Sequence, residues 1–288
     1  MDIIVFGLLL GGTYALMALG LQLQYGVARI MNLANGEMLV AGAFGAFWFY
    51  TGTKLSPFLS ILFVVPLAFA VNWAIYRVLL QPLVKRAKSH GQLEVDAILA
   101  TFGMSFILVG LMLAFFGGRT FEYLYLAEPV EILGERYGLN RIAAFLASAA
   151  LCVVLAVWLN RTRLGLSLRA VAVNPSAAGL VGINVSRASA LAFALGGAVT
   201  AAGGAMISAF LTMDASLGVL FTMKALIIVI LGGVSDIRGT ILAAFILGLA
   251  ETAVASLIDP GLTLAAAYLL FILILLIRPQ GLFGRRTT

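Results

Sequence analysis

Nine apolar runs divide this chain from end to end: residues 3–23, 38–51, 56–76, 95–116, 142–159, 189–211, 224–234, 240–257 and 263–277. Most approach or reach the roughly 17–25 residues an α-helix needs to cross a hydrocarbon layer about 30 Å thick. Runs such as AAAYLLFILILLI, residues 265–277, show none of the alternation a membrane-spanning β-strand requires. Inside a bilayer each segment must satisfy its own backbone polar groups, which favours helices. The expected fold is therefore an all-α polytopic integral membrane protein with eight to ten transmembrane helices, forming one transmembrane domain over residues 1–288. The runs at 38–51 and 224–234 are short, and one or both are expected to be half-helices or re-entrant segments. The N-terminal MDIIVFG lacks the basic n-region of a cleaved signal peptide, so the first helix is expected to be retained.

The charges set the expected orientation. Only 10% of residues are charged and the mean hydropathy is +1.10, whereas soluble domains carry about 25% charged residues. The windows 77–94 and 160–188, the turn at 236–238 and the tail hold Arg77, Lys85, Arg86, Lys88, Arg161, Arg163, Arg169, Arg187, Arg238, Arg278, Arg285 and Arg286. The opposite side is left with Lys54, Arg119, Arg136, Arg141 and Lys224. Basic residues collect on the cytoplasmic side. The rule places the N-terminus outside, the C-terminus in the cytoplasm, the glutamate-bearing loop 117–141 outside and the segment 160–188 inside. The sequence pI of 9.7 is read in the same way, with no nucleic-acid partner.

Most catalytic chemistry is excluded. Cys152 stands alone inside an apolar run, so no disulfide or cysteine metal site is available. His90 is the single histidine and is read as a solvated loop residue, which removes any Ser/His/Asp set. No GxxxxGK[ST] phosphate loop is present. The polar windows, all under 30 residues, are too short to bury a core of their own. The chain is not expected to be an enzyme or to bind a metal or cofactor itself.

Three stretches break helices near membrane depth, where irregular backbone is tolerated only if buried in protein or lining a wet cavity. They are Tyr25–Trp48, with Asn32, Asn35, Gly36 and Glu37; Ile230–Glu251, with Gly232, Gly233, Asp236, Arg238 and Gly239; and Ala100–Phe106, with Thr101 and Gly103. Interrupted segments of this kind point to a translocation pathway in transporters. The candidate pathway residues are Asn32, Asn35, Glu37, Thr101, Gly103, Asp236 and Glu251. Asn32, Asn35 and Glu37 fit a pathway or a tight turn equally well. Asp236 and Arg238 fit a cytoplasmic turn better. Glu251 is an intramembrane acid and a functional candidate on that ground. The small residues of Gly196–Met206 are expected to pack helices together.

The segment 161–190 carries four arginines and no acid. Asn174-Pro175-Ser176 is a helix start, an Asn cap followed by Pro at the first helical position, and Gly182 marks the stop. Exposed Leu180, Val181 and Ile183 would need a protein groove to cover them. The alternative is a membrane-surface helix held by its basic flanks.

GGTYALMALGLQLQYGVARIMNLANGEM, LRAVAVNPSAAGLVGINVSRASALAF, ILGGVSDIRGTILAAFILGLAE and RPQGLFGRR, in this order, resemble the branched-chain amino-acid permease family of ABC transporters, in particular its LivH-like subunits, over essentially the whole chain. The resemblance implies one of two permease subunits in a bacterial inner-membrane importer for branched-chain or other hydrophobic amino acids. It implies a second, LivM-like permease, two cytoplasmic LivG/LivF-like ATPases carrying ATP and Mg, and a periplasmic substrate-binding protein. It makes Arg169, Asn174, Pro175, Ala178, Leu180, Val181, Gly182 and Ile183 the segment that couples to the ATPase. The sequence departs from the family pattern at Asn35, usually histidine, at Ser235-Asp236, usually Gly-Ser, and at Arg238-Gly239-Thr240, usually Pro-Gly-Ala. These departures bear on the substrate, and relatives in the family carry urea, short amides and aromatic acids. An ion-coupled secondary transporter or channel is the alternative class. It would show buried acids paired with bases, whereas most charges here lie at segment edges. A membrane scaffold would lack polar breaks in its helices.

Overall fold

The computed structural model describes residues 2–54, 56–123, 125–126, 128–132, 135–234, 236–278 and 280–283. Helix α1, Asp2–Ala28, is 27 residues long and so spans about 40 Å. It is followed by α2 (Asn35–Thr53) and then by a continuous run in which a 3₁₀ turn at Pro57–Ser60 leads into α3 (Ile61–Ile75), a π-helical segment at Tyr76–Leu80 and α4 (Gln81–Arg86). Next come α5 (His90–Phe116), strands β1 (Pro129–Ile132) and β2 (Glu135–Gly138), α6 (Leu139–Arg161), α7 (Arg163–Val173) and α8 (Pro175–Leu180). The chain closes with α9 (Val185–Ile207), α10 (Gly218–Gly232), α11 (Ile237–Leu257) and α12 (Thr263–Ile277). Among the described residues, seven helical spans are long and apolar enough to cross a bilayer. They make a polytopic α-helical membrane protein, as expected, with the 19-residue α2 and the 15-residue α10 beside them. At 15 residues α10 spans about 22 Å, short of a core about 30 Å thick.

Helix α9 forms the centre, packed against α1, α2 and α3, while α1 also lies along α11. In lipid there is no hydrophobic gain from joining two apolar helices, so close backbone approach must hold them. Small residues provide it. A Cβ added at Gly20 would stand 2.5 Å from the Gly196 carbonyl, and one at Gly248 would stand 2.6 Å from the Gly11 nitrogen. Gly204 faces the Leu39 carbonyl and Gly42 the Ala201 carbonyl. The packing role read from Gly196–Met206 is thus met. Helices α3, α5, α6 and α12 turn Leu62, Phe63, Phe106, Ile107, Val153, Val154, Leu276 and Ile277 outward, as a lipid-facing surface requires.

Polar windows are more helical than their composition suggests. The window 77–94 is helical except at 87–89, because Arg and Lys lay their aliphatic stems along a helix and carry the charge outward; Arg77 sits 5.4 Å from the Trp73 ring centroid. The π-helical segment precedes Pro82, which lacks an N–H to donate back to residue 78. His90, read as a loop residue, opens α5; its side chain lies outside the described residues. Helix α7 was not anticipated. The Thr162 hydroxyl caps it, accepting from the Gly165 N–H at 3.0 Å.

At the end of the molecule away from most of the arginines, β1 and β2 form an antiparallel hairpin inside the 117–141 window. Its Arg136–Glu131 pair, 3.2 Å apart and largely exposed, adds little stability. The same end is stitched by Phe121 bridging Met213, Asn140 donating to the Ala209 carbonyl at 3.0 Å, and a 2.9 Å contact between the Tyr123 and Ser208 hydroxyls. Burial pushes the Tyr123 phenol up to about 12, so it stays neutral at physiological pH.

At the basic end the chain returns to close α10. The Leu282 N–H donates to the Leu231 carbonyl at 2.8 Å and the Phe283 N–H to the Gly232 carbonyl at 3.3 Å. Gly281 turns the chain there with φ +81°. Of the RPQGLFGRR signature, Pro279 and residues 284–286 lie outside the described residues, as does Ser235.

Candidate functional site

Two buried polar clusters sit within the helical bundle. The first is built on the break between α1 and α2. Arg29 ends α1 in a left-handed conformation, φ 56°, and residues 29–34 run without helix. Their backbone groups are satisfied by side chains from other helices. The Thr101 hydroxyl of α5 accepts from the Leu33 N–H at 3.2 Å and also lies 3.2 Å from the Met31 carbonyl. The Thr222 hydroxyl of α10 accepts from the Gly36 N–H at 2.8 Å and donates to the Leu33 carbonyl at 3.2 Å. Asn32 accepts from the Ala34 N–H and donates to Gln24 of α1 at 2.9 Å. Thr200 of α9 donates to Asn35 Oδ1 at 3.0 Å.

Five helices therefore converge on Asn32, Asn35, Glu37 and Thr101, four of the expected pathway residues. The network is incomplete at its centre. Asn35 Nδ2 is buried and has no hydrogen bond, and both buried carboxylate oxygens of Glu37 lack one of good geometry, with only the Ser105 hydroxyl and Glu37's own backbone near enough to act on them. Glu37 also lies against the first turn of α10, where a Cβ on Gly218 would meet its carboxyl carbon at 2.8 Å. Leaving such groups unpaired costs several kcal/mol in a low-dielectric setting. Gly103 is not part of this cluster. It lies on the opposite, exposed face of α5, where a Cβ would meet no other atom within 4 Å.

The second cluster joins α1, α10 and α11. Lys224 Nζ lies 2.8 Å from Glu251 Oε2 and donates to the Tyr14 hydroxyl at 2.7 Å. Tyr14 in turn donates to Glu251 Oε2 at 2.9 Å. All three are buried. Glu251 Oε1 has no partner. This corrects one sequence reading. Lys224, assigned to the outer loops, lies inside α10, because the helix already begins at Gly218. Glu251, expected as an intramembrane acid, is inside as read, and it is paired there with a base. Among the described residues, the two clusters share no hydrogen bond.

Asp236 is placed as a turn residue. Its Oδ1 accepts from the Arg238 and Gly239 N–H groups at 2.8 and 3.1 Å, capping α11. With Arg29 and Arg169 it borders a cavity of about 650 Å³ at the basic end. Among the coupling residues, the Asn174 side chain accepts from the Ala177 N–H at 3.0 Å, Pro175 starts α8, and Ala178 is buried. Gly182, at φ +86°, ends the helix, and the Ile183 N–H returns to the Ala178 carbonyl at 3.1 Å. Leu180 is 90% and Val181 76% exposed. Ile183, expected outside with them, is half-buried against the small core under α7, because the turn at Gly182 folds it back.

Sequence reading missed Gln24, Thr200, Thr222, Tyr14 and Lys224. Tyr14 and Thr200 are polar residues inside apolar runs, which is a usable signal in a membrane helix; Gln24, Thr222 and Lys224 stand just outside or at the edge of their runs and give none.

A model of the family described as "Branched-chain amino acid transport system / permease component" matches residues 3–277. The chain is 28% identical to the high-affinity branched-chain amino acid transport permease LivH of Escherichia coli strain K12, covering 97% of this chain and 94% of that one. It is 28% identical to BraD of Pseudomonas aeruginosa, with coverage of 98% and 95%. It is 27% identical to a probable branched-chain amino acid permease of Methanocaldococcus jannaschii, with coverage of 93% and 88%. Among solved structures, PsaBC from Streptococcus pneumoniae in complex with Fab aligns over 98% of this chain and 94% of that one, with a TM-score of 0.50 and 12% identity, a likeness of fold.

Proposed function

Because the chain belongs to the family of branched-chain amino acid transport system permease components, we propose that it is a non-enzymatic permease subunit of an ATP-driven importer for small apolar amino acids. The observation that carries a pathway role for the first cluster is its deficit of partners. Asn35 Nδ2 is buried without a hydrogen bond where five helices meet, and the Glu37 carboxylate beside it has only Ser105 and its own backbone within reach. Unsatisfied groups at a helix break fit a site that gains its missing partners when a polar substrate passes or the helices shift. A static turn would have its hydrogen bonds closed.

In this reading the chain pairs with a second homologous permease in a bacterial inner membrane. Two cytoplasmic ATPases supply hydrolysis of Mg-ATP, and a periplasmic binding protein supplies substrate. The exposed Leu180 and Val181, with the buried Ala178 beneath them, offer the ATPase an apolar ridge on the basic side. Arg169 and Asn174 line the shallow groove of about 510 Å³ beside that ridge.

The pathway reading is tested at Asn35. Asn35→Leu removes the Thr200 contact and the free amide together. Uptake of radiolabelled L-leucine in cells expressing the whole transporter should fall at least tenfold, while the complex is recovered in normal yield. Equal loss of complex and uptake would make Asn35 a structural turn residue.

The orientation is tested by labelling. In a Cys152→Ala background, a cysteine at position 126 should react with an impermeant maleimide in intact cells. Cysteines at positions 88 and 176 should react only after permeabilisation. Labelling of position 176 from outside would reverse the topology and remove the ATPase surface.

A further inference from the structure

The cavity of about 650 Å³ at the basic end sits where three spanning helices have their ends, α1 at Ala28, α6 at Arg161 and α11 at Ile237. Its charged lining is Arg29, Arg169 and Asp236. Asp236 is committed through Oδ1 to the cap of α11. Both arginines are exposed, and neither pairs with a carboxylate among the described residues. One contact of Arg29 goes to the Ala172 carbonyl, 3.3 Å away. Tyr25, half-buried, completes the polar wall, with Glu94 near enough to act on it. An apolar slot of about 70 Å³ continues from this cavity, sharing Gly26, Arg169, Ala172 and Val234 with it. The slot runs inward between α1 and α6, past Leu23 and Leu19 on one side and Leu159 and Leu155 on the other. Leu19 lies nine residues inside the end of α1, about 14 Å along a helix. That is close to half of a hydrocarbon core about 30 Å thick. Leu155, Ala156 and Ile237 keep partial exposure, so the slot is not sealed.

A basic mouth at the end of the spans and an apolar slot one leaflet deep select an amphiphile. Free phosphate would meet the arginines and leave the slot empty. An uncharged hydrocarbon would fill the slot and leave two guanidinium groups without an anion. A zwitterionic lipid would bring its ammonium toward both arginines. We propose that the cavity and slot bind one anionic glycerophospholipid, its phosphate on Arg29 and Arg169 and one acyl chain along the slot as far as Leu19. Guanidinium groups match phosphate oxygens in two-pronged geometry, and basic pockets between membrane helices suit anionic headgroups. The site lies within a single chain and apart from the Asn35 cluster, so it stands independently of the pathway reading.

The test is site-mapped photocrosslinking of the full chain in phosphatidylcholine nanodiscs, without ATPase or binding protein, so that failure of transport would not affect the result. The probe is a trace of phosphatidylglycerol carrying a diazirine near the middle of one acyl chain, with crosslinks located by peptide mass spectrometry. Labelling within residues 19–27 and 152–159 should exceed that from phosphatidylcholine with the same acyl chain at least tenfold. Labelling at Phe63 and Ile107, which face outward, should be equal for the two lipids. Arg29→Gln and Arg169→Gln, which remove the anion's partners, and Ala156→Phe, which fills the slot without touching a charge, should each lower slot labelling at least fivefold with unchanged thermal stability. A large excess of sodium phosphate should leave slot labelling intact; displacement would identify free phosphate as the ligand and overturn the proposal. Equal slot labelling by the two lipids would reduce the site to an ordinary lipid-facing crevice and overturn it too, as would full labelling in all three variants.

Discussion

Lys224→Met should destabilise the folded chain by about 3–5 kcal/mol, the usual consequence of removing one partner from a buried ion pair. The cause is the charge left behind. Glu251 is 3% exposed, and its Oε2 would retain only the Tyr14 hydroxyl 2.9 Å away. Removing both charges tests this directly. In Lys224→Met/Glu251→Leu the desolvation penalty disappears with the attraction, and replacing a buried pair by apolar side chains is often neutral or stabilising. Thermal unfolding in detergent should therefore show a large drop in Tm for the single variant and recovery of most of it in the double. A single variant no worse than the double would mean that Glu251 is neutral in the folded chain or finds another cation.

The second large effect is expected at Leu180. This side chain is 90% exposed in the isolated chain and has no core of its own to join. Full burial of a leucine in a partner's groove contributes roughly 1.5–3 kcal/mol, and about 1.4 kcal/mol is a factor of ten in affinity. Leu180→Glu forfeits that burial and adds an unpaired charge to be desolvated. Co-purification with the ATPase subunits should weaken at least tenfold and substrate-stimulated ATP hydrolysis should disappear, while the permease still inserts with unchanged Tm. A helix lying on the lipid surface would respond differently, losing activity in steps as Arg169 and Arg187 are neutralised. Undiminished ATPase binding and transport in Leu180→Glu would sink the coupling assignment.

What could be read from the sequence follows from how each feature is encoded. The spans were legible because membrane-crossing length is a local property, visible in a run such as 263–277. The α8 cap at Asn174 and the stop at Gly182 were legible because capping needs only neighbours in sequence. The partners of Asn35 and Glu251 were not. Thr200 is 165 positions from Asn35 and Tyr14 is 237 from Glu251, and periodicity says nothing about which helix faces which. Lys224 was misplaced for a related reason. Its run begins at the lysine if hydropathy alone is followed, whereas the helix begins at Gly218, tucked against Glu37. Gly103 and Thr101 share one short motif, yet two residues along a helix separate opposite faces.

The closure of α10 bears on how the protein is made. The carbonyls of Leu231 and Gly232 take their hydrogen bonds from Leu282 and Phe283, about fifty codons downstream. At ribosomal rates of about 5–20 residues per second, those donors follow several seconds after α10 itself. During that interval the end of α10 has to be held by water or by the insertion machinery, and α11 and α12 enter the bilayer beside an unfinished neighbour. The tip of an interior helix is thus fastened by a segment that emerges only after α11 and α12.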